Sequence, residues 1–167
     1  YSKMDENLGT RVEHLLAHLG RKNRFISKDK QENVLTMGEA AAKNALESAG
    51  LSPLDLDGII FSTDTPEYTS PSNALMLCSA LGAENAHTVY DLNANCVGMV
   101  VALDQAQSFM KANHRIKRLL VVGASMIHHY GSPSDPLTYA CVGDAAAAAV
   151  LEVQNGESRT GFLDSVY

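Results

Sequence analysis

The chain has 167 residues, about the length of one domain, with 13 Lys and Arg against 19 Asp and Glu and a formal net charge of -6. This acidic balance excludes the basic surface that a protein bound to nucleic acid phosphates requires. Hydrophobic residues make up 46% of the chain, which is enough to build a core. No apolar run approaches the length of about 20 residues that a membrane-spanning helix needs, so we expect neither nucleic acid nor a membrane as a partner.

Cysteine usage and the first residues indicate the compartment. The three cysteines lie at irregular spacing without a CxxC pair, a pattern typical of free thiols rather than of a disulfide framework or a zinc site. The first residues, YSKMDE, are polar and acidic and show no secretory signal. We therefore expect a cytoplasmic domain without a metal site. The chain also begins without an initiator Met and stops where a strand would begin, so we expect a piece of a longer enzyme.

The first third of the chain predicts two helices and a strand. Apolar residues at three- and four-residue spacings predict a helix over residues 5–19, which the following glycine ends. After a polar, irregular stretch, Thr36 and Glu39 form the pattern of a capping box and predict a second helix that ends at Gly50. The nearly continuous apolar run at residues 58–63 predicts a strand that is covered on both faces.

Helices and strands alternate through the rest of the chain. The predicted helices cover residues 72–81 and 97–112, and the predicted strands cover residues 87–92, 118–123 and 145–153, with a loop between the last two strands. This order predicts an α/β fold with a mainly parallel sheet and helices on both of its faces.

Cys96 is the most informative position for chemistry, because it lies between a predicted strand and the N-terminus of the long predicted helix. Unpaired backbone N–H groups and the positive end of the helix dipole favour a thiolate there, and the same groups can donate to an oxyanion when a thioester carbonyl is attacked. Gly98 has no side chain and would let an acyl group approach the helix closely. A strand, a tight turn, a nucleophile and a helix in this order have the logic of a nucleophile elbow.

The sequence leaves two roles open for Cys96. Most free cysteines are small, buried, apolar residues, and the position alone does not decide between that role and a nucleophile. We expect the structural role for Cys78, which lies in the apolar stripe of a predicted helix, and for Cys141, which lies close to the Gly143-Asp144 turn.

Histidines and carboxylates give weaker signals. His128 and His129 are the only internal candidates for a Cys–His pair, but two loop imidazoles in contact with solvent are the more usual interpretation. Asp144 follows a glycine and is expected to fix a turn through its side-chain oxygen. No dinucleotide-binding, nucleotide-binding or zinc-protease motif occurs.

The segment around Cys96 resembles a known nucleophile segment. Residues 91–99, DLNANCVGM, are similar to the stretch Asp-x-x-x-Ala-Cys-x-Gly-Phe of β-ketoacyl-acyl-carrier-protein synthase III, a branch of the thiolase superfamily. Residues 120–123 and 142–151 match the later Val-Val-Gly and Gly-Asp-Gly-Ala-x-Ala-Val-Leu stretches of that family, and residues 36–41 fall into register upstream. The resemblance covers nearly the whole chain, with several spaced motifs in the same order.

The resemblance implies a thiolase-like α-β-α-β-α layered fold built of two similar halves. Residues 1–167 match the N-terminal half without its first strand, with a mainly parallel mixed sheet flanked by helices. Cys96 would accept an acyl group from a thioester, and a malonyl thioester would lose CO2 and attack the acyl-cysteine in a Claisen condensation. The His and Asn that assist this step belong to the other half of the family's fold, so we expect these residues alone not to complete a condensation.

Further site residues and partners follow from the resemblance alone. Ile127 and Val142 match positions that line the acyl pocket, although both are equally typical of a core. Thr10 and Arg24 match positions that bind the coenzyme A thioester. The family needs no cofactor, since acyl-coenzyme A and acyl-acyl-carrier protein are substrates. An acyl carrier protein as partner, a homodimer, and a role in fatty acid or polyketide biosynthesis are also implied.

The chain departs from the family pattern at several positions. His14 and His18 stand where members that load acetyl-coenzyme A carry a Trp and an Arg, and Pro136 lies near the place of another Arg, which leaves coenzyme A recognition open. Asn95 replaces the usual Ala, and Ser70 replaces a bulky Phe that some members carry at the dimer contact, which leaves the acyl-chain preference open. A divergent acyltransferase with another acceptor and a non-catalytic interaction domain therefore remain alternatives.

Two basic clusters are candidates for docking an acidic carrier protein, although solvated surface charge is the more usual role of such clusters. They follow the first and the long helix and comprise Arg21, Lys22 and Arg24, and Lys111, Arg115, Lys117 and Arg118.

Overall fold

A computed structural model of the chain describes residues 6–132, 134–154 and 161–162. Its helices are α1 (Glu6–His18), α2 (Val34–Ala49), α3 (Asn73–Leu81), α4 (Gly98–Ala112) and α5 (Pro136–Cys141). Its strands are β1 (Gly58–Ser62), β2 (Thr88–Leu92), β3 (Arg118–Met126) and β4 (Asp144–Glu152). Short 3-10 turns cover Pro53–Asp55, Asn95–Val97 and Ile127–Tyr130. None of the helices in these ranges is long and apolar enough to cross a membrane.

The four strands form one mixed sheet in the order β2-β1-β3-β4. β1 runs parallel to both β2 and β3, and β4 runs antiparallel to β3 along its full length, from Arg118 opposite Glu152 to Met126 opposite Asp144. The prediction of a mainly parallel sheet is confirmed. The carboxyl ends of β1, β2 and β3 meet at one edge of the sheet, where ligands of α/β folds bind.

Alternate residues of the two central strands point to opposite faces of the sheet, as the two-residue period of a strand requires. Phe61 and Leu120 pack on one face under α2 and α3, and Ile60 and Val121 pack on the other face under α4. All four are fully buried, and each such side chain stabilises the fold by roughly 1.5–3 kcal/mol. The predicted arrangement of helices on both faces is therefore confirmed.

The start of α2 was predicted at the wrong residue. The helix begins at Val34, and its N-cap is Asn33, whose side-chain oxygen accepts the Thr36 N–H at 2.9 Å while the Thr36 hydroxyl accepts the Asn33 N–H at 2.9 Å. Thr36 therefore closes the capping box in the first turn instead of opening the helix. Asn is among the strongest N-cap residues, so it starts the helix about one turn earlier. The predicted end is confirmed, since Gly50 is the left-handed C-cap with a φ of 66°.

The region between β3 and β4 was predicted as a loop and contains more structure. β3 continues to Met126, because β4 pairs with it over the whole length. The 3-10 turn Ile127–Tyr130 and the six-residue helix α5 follow, and α5 packs against α1. A helix of six residues is too short to show apolar periodicity, which explains why the sequence pattern did not predict it.

Candidate active site

Cys96 lies in the turn that joins β2 to α4, as the sequence predicted. The 3-10 turn Asn95–Val97 leads directly into α4, and Cys96 is exposed within it. Asn95 adopts the left-handed region with a φ of 52°, which Asn tolerates better than most residues, and its N–H donates to the Asn93 side chain at 3.2 Å. Because Cys96 is exposed at the N-terminal end of a 15-residue helix, it is not the small buried apolar residue of the alternative interpretation.

Gly98 fixes the distance between the start of α4 and the end of β1. A Cβ atom at this position would lie 2.2 Å from Ser62 Oγ, which no real side chain tolerates. Gly98 is buried against the sheet. The missing side chain of Gly98 was predicted to make room for an acyl group, whereas the structure places the Ser62 hydroxyl at the end of β1 in that space.

A cleft of about 460 Å³ opens beside Cys96 at the edge of the sheet. Its wall carries Ile127 and Val142, the two positions that the family resemblance assigned to the acyl pocket, so the structure brings these two residues and Cys96 together. Cys141, expected to be a core residue, also lines the cleft and is partly exposed. The other lining residues are Ser62, Thr63, Asp64, Asn95, Met99, Gly123, Ala124, Ser125, Gly143, Ala145, Ala146 and Ala147.

The polar side of the cleft comes from the ends of β1 and β3, and the sequence analysis did not predict it. The Ser125 hydroxyl donates to Asp64 Oδ1 at 2.8 Å, and the Met126 N–H donates to the Thr65 hydroxyl at 2.9 Å. The Thr65 N–H donates to the Thr63 hydroxyl at 3.1 Å. These bonds tie the loop after β1 to the end of β3. Only one feature of the sequence could have predicted these polar residues, namely their position directly after parallel strands, because such residues lie at the ligand-binding edge of the sheet.

Two arginines that follow α1 hold the opposite wall of the cleft. Arg21 Nη1 donates to the Cys141 carbonyl, and Arg24 Nη1 donates to the Tyr139 carbonyl and, at 3.3 Å, to the Val142 carbonyl. The Arg24 guanidinium carbon also lies 4.4 Å from the centre of the Tyr139 ring. Arg24, matched above to a coenzyme A-binding position, thus has partners within the protein, one of which is the backbone carbonyl of the cleft residue Val142.

Thr10, the second residue matched to a coenzyme A-binding position, is exposed on α1 and is not among the residues that line the cleft. The structure therefore does not bring it together with Cys96. His14 and His18 are exposed on the same helix.

Asp144 connects three segments behind the cleft wall. Its side chain is only 2% exposed; Oδ2 accepts the Ser27 N–H at 2.8 Å, and Oδ1 accepts the His128 N–H at 3.3 Å. His128 Nδ1 lies 2.5 Å from Oδ2. Burial by itself raises the pKa of Asp144, but the hydrogen bonds from Ser27 and His128 outweigh it and hold the pKa below its usual value. The side chain of Asp144 was predicted to fix a local turn, but it bonds to Ser27 and His128, which are 117 and 16 positions away in sequence.

The prediction that both histidines are solvent-facing loop imidazoles is wrong for His128, whose side chain is 18% exposed and pairs with Asp144. The deeply buried carboxylate attracts the imidazole, which sequence spacing could not show. His129 is exposed, and its ring centre lies 4.0 Å from that of His128. Neither residue lines the cleft with Cys96, so the arrangement gives no support to a Cys–His pair.

Cys78 behaves as the sequence analysis expected. It is half-buried on α3, its thiol donates to the Ala83 carbonyl at 3.3 Å, and burial raises the pKa of that thiol. A protonated, partly buried thiol in this position is a structural residue.

Some side chains of the two basic clusters bind to partners within the protein instead of remaining free on the surface. Arg118 Nε lies 2.6 Å from Glu152 Oε1 across β3 and β4, and Arg21 and Arg24 bond to backbone carbonyls. Lys111 in the last turn of α4 and Arg115 and Lys117 after that helix are exposed. Among the described residues, no group of three or more His, Cys, Asp and Glu side chains is arranged to hold a metal ion.

Comparisons with known proteins find similar sequences and similar folds. A family model described as 3-oxoacyl-[acyl-carrier-protein (ACP)] synthase III matches residues 90–167, which include Cys96 and both apolar wall positions. The β-ketoacyl-[acyl-carrier-protein] synthase III of Sinorhizobium medicae is 35% identical over 154 residues, which are 92% of this chain and 47% of the relative. The chain thus spans about half the length of the curated relatives that it matches.

Solved structures show the same fold. The crystal structure of 3-oxoacyl-[acyl-carrier-protein] synthase III from Aquifex aeolicus VF5 aligns with a TM-score of 0.74 at 36% identity, over 83% of this chain and 44% of that one. The priming β-ketosynthase from the R1128 polyketide biosynthetic pathway aligns with a TM-score of 0.73 at 31% identity, over 78% of this chain and 38% of that one. The sequence and structural matches together show that the chain is similar, over about half of their length, to β-ketoacyl-[acyl-carrier-protein] synthase III proteins and shares their thiolase-type fold.

Proposed function

We propose that the whole protein is a 3-oxoacyl-acyl-carrier-protein synthase III-type condensing enzyme and that Cys96 is its nucleophile. The observation that carries this proposal is the exposed thiol at the N-terminal end of α4, beside a cleft whose wall includes Ile127 and Val142. A thiolate in this position attacks a thioester carbonyl, and N–H groups of the first helical turn without an intrahelical partner donate to the oxyanion. Collapse of the tetrahedral intermediate expels the donor thiol and leaves the acyl group on Cys96.

The second step forms the carbon–carbon bond. A malonyl thioester loses CO2, and the resulting carbanion attacks the acyl-cysteine carbonyl. The Cys96 thiolate leaves, and the product is a 3-oxoacyl thioester. In the family, the His and Asn that assist decarboxylation belong to the other half of the fold. We therefore propose that residues 1–167 form the N-terminal thiolase-like domain and accept the acyl group, but do not complete the condensation alone.

The proposal includes substrates and partners. Acyl-coenzyme A or acyl-acyl-carrier protein supplies the acyl group, no resident cofactor takes part, and the product enters fatty acid or polyketide biosynthesis. Three exposed basic residues at and after the C-terminal end of α4, Lys111, Arg115 and Lys117, supply a basic surface for an acidic carrier protein. A cytoplasmic homodimer is the expected form of the whole protein.

The test of the nucleophile uses acyl thioesters and intact-mass analysis of the whole protein. Wild-type protein should gain one acyl group, Cys96→Ala should gain none, and Cys141→Ala should be acylated at the wild-type rate. Cys141→Ala is the matched control, because Cys141 lines the same cleft. Equal acylation of wild type and Cys96→Ala would refute the proposed nucleophile.

The same assay separates the alternatives. With malonyl-acyl-carrier protein present, release of CO2 and a 3-oxoacyl product are expected for the condensing enzyme. Acylation of Cys96 without CO2 release would identify a divergent acyltransferase with another acceptor. A Cys96 thiol that is neither acylated nor alkylated by iodoacetamide would identify a non-catalytic interaction domain.

A further inference from the structure

The lining of the cleft beside Cys96 includes a single carboxyl side chain among the described residues. Among the described residues that line it, Asp64 is the only one with an ionisable carboxyl or basic side chain. Asp64 directly follows Thr63 at the end of β1 and is half-buried. Its Oδ1 accepts the Ser125 hydroxyl at 2.8 Å, and Ser125 itself lines the cleft from the end of β3. The pair therefore presents a carboxylate and a hydroxyl oxygen to whatever fills the cleft.

A carboxylate at this position disfavours a purely hydrocarbon ligand. It has about four acceptor sites, of which the Ser125 hydroxyl occupies one, and water satisfies the others while the cleft is open. A hydrocarbon chain that covers Asp64 displaces this water without offering a donor, so an acceptor is left unpaired. A chain that carries a hydroxyl group donates a hydrogen bond in place of the lost water.

We propose that Asp64 and Ser125 make the cleft selective for hydroxylated acyl chains over unsubstituted chains of the same length. The inference rests on the proposed function, since it concerns the acyl group that Cys96 accepts. The hydroxyl of the chain donates to the Asp64 carboxylate, and Ser125 holds that carboxylate towards the cleft. Sites that pair a substrate hydroxyl reject the analogue that lacks it much more strongly than apolar pockets reject a methylene.

The test compares matched pairs of N-acetylcysteamine thioesters on the whole protein: 3-hydroxybutyryl with butyryl, and 6-hydroxyhexanoyl with hexanoyl. The rate at which Cys96 is acylated is followed by intact mass. Wild type should favour at least one hydroxylated member by at least about tenfold over its unsubstituted partner. Asp64→Leu should abolish or reverse this ratio. Glu67→Gln, at an exposed carboxylate outside the cleft lining, should leave it unchanged.

The other possible results of this experiment contradict the inferred selectivity. If Cys96 is acylated but wild type shows no preference, or Asp64→Leu keeps it, the specificity inference is overturned while the proposed function stands. If no thioester acylates wild-type Cys96, the proposed function fails and the inference falls with it. Should Asp64→Leu not fold, Asp64→Ala replaces it, and an unchanged ratio in that variant, with normal thermal unfolding, overturns the inference.

Discussion

Gly98 and Ser62 pack so closely that a Cβ atom on Gly98 would lie 2.2 Å from Ser62 Oγ. This contact sets how far the first turn of α4 stands from the end of β1. Because Cys96 lies in the turn immediately before Gly98, the same contact sets where the thiol stands relative to the cleft. The position of the candidate nucleophile thus depends on a residue that has no functional group.

Gly98→Ala should displace the turn that carries Cys96. Overpacking of this kind costs about 1–3 kcal/mol, so we expect a lower thermal unfolding temperature and acylation of Cys96 slowed at least tenfold. Intact-mass kinetics and thermal unfolding measure both effects. The double variant Ser62→Ala with Gly98→Ala should recover much of the loss, because the next contact, with Ser62 Cβ, lies at an ordinary 3.6 Å. No recovery in the double variant would refute the steric explanation.

Val142→Phe should shorten the cleft. Val142 is one of the residues that line the cleft, and a phenyl ring at this position is expected to fill space that a longer acyl chain would occupy. We expect acylation by acetyl thioesters to change little and acylation by octanoyl thioesters to fall at least tenfold. Val100→Phe is the control, since Val100 is 69% exposed on α4 and does not line the cleft. Equal losses for both chain lengths would contradict a role of Val142 in chain length.

Substitution of Arg24 distinguishes a residue that supports the cleft wall from one that binds coenzyme A. If it supports the cleft wall through the Tyr139 and Val142 carbonyls, Arg24→Ala should lower the unfolding free energy by about 1–3 kcal/mol and slow acylation by any thioester. Arg24→Lys should recover little, because an ammonium lacks the planar fork of donors. If Arg24 instead binds coenzyme A, only the KM for acyl-coenzyme A should rise, and N-acetylcysteamine thioesters should react normally. Lys22→Ala, at an exposed neighbour, is the control for a general loss of positive charge.

The location of Cys96 was predictable because the signals are local. A buried strand, a short polar turn and a long amphipathic helix follow each other within one stretch of sequence, and each has a clear period. The sheet and the layers of helices follow from the same alternation. The start of α2 was not predictable with this accuracy, since Asn33 and Thr36 are both good capping residues and only geometry shows which of them is the N-cap.

The contacts that hold the two walls of the cleft were not predictable because they join residues that are distant in sequence. Asp64 and Ser125 are 61 positions apart, and Arg24 and Val142 are 118 apart. Periodicity specifies which face of a strand is buried, but it carries no information about which side chains meet across neighbouring strands. His128 shows the same limit, since the carboxylate that holds it lies 16 positions away on β4.

Asp144→Asn should change how stability depends on pH. The pKa of Asp144 is lower in the folded state than in the unfolded chain, so ionisation of this group stabilises the fold. This contribution is fully present above the unfolded pKa of about 4 and is lost as the pH falls through the lower folded pKa. At pH 7 the variant should therefore be less stable, by about 1–3 kcal/mol for the lost charged hydrogen bonds. The gap to wild type should narrow steadily below pH 4.

Urea unfolding at pH values from 7 to 3 measures this gap. Glu84→Gln, at an exposed carboxylate, is the control and should follow the wild-type stability curve closely. A constant difference between wild type and Asp144→Asn across the whole range would mean that the buried carboxylate contributes by packing alone. In that case its contacts with Ser27 and His128 would not be what ties the cleft wall to the segment after α1.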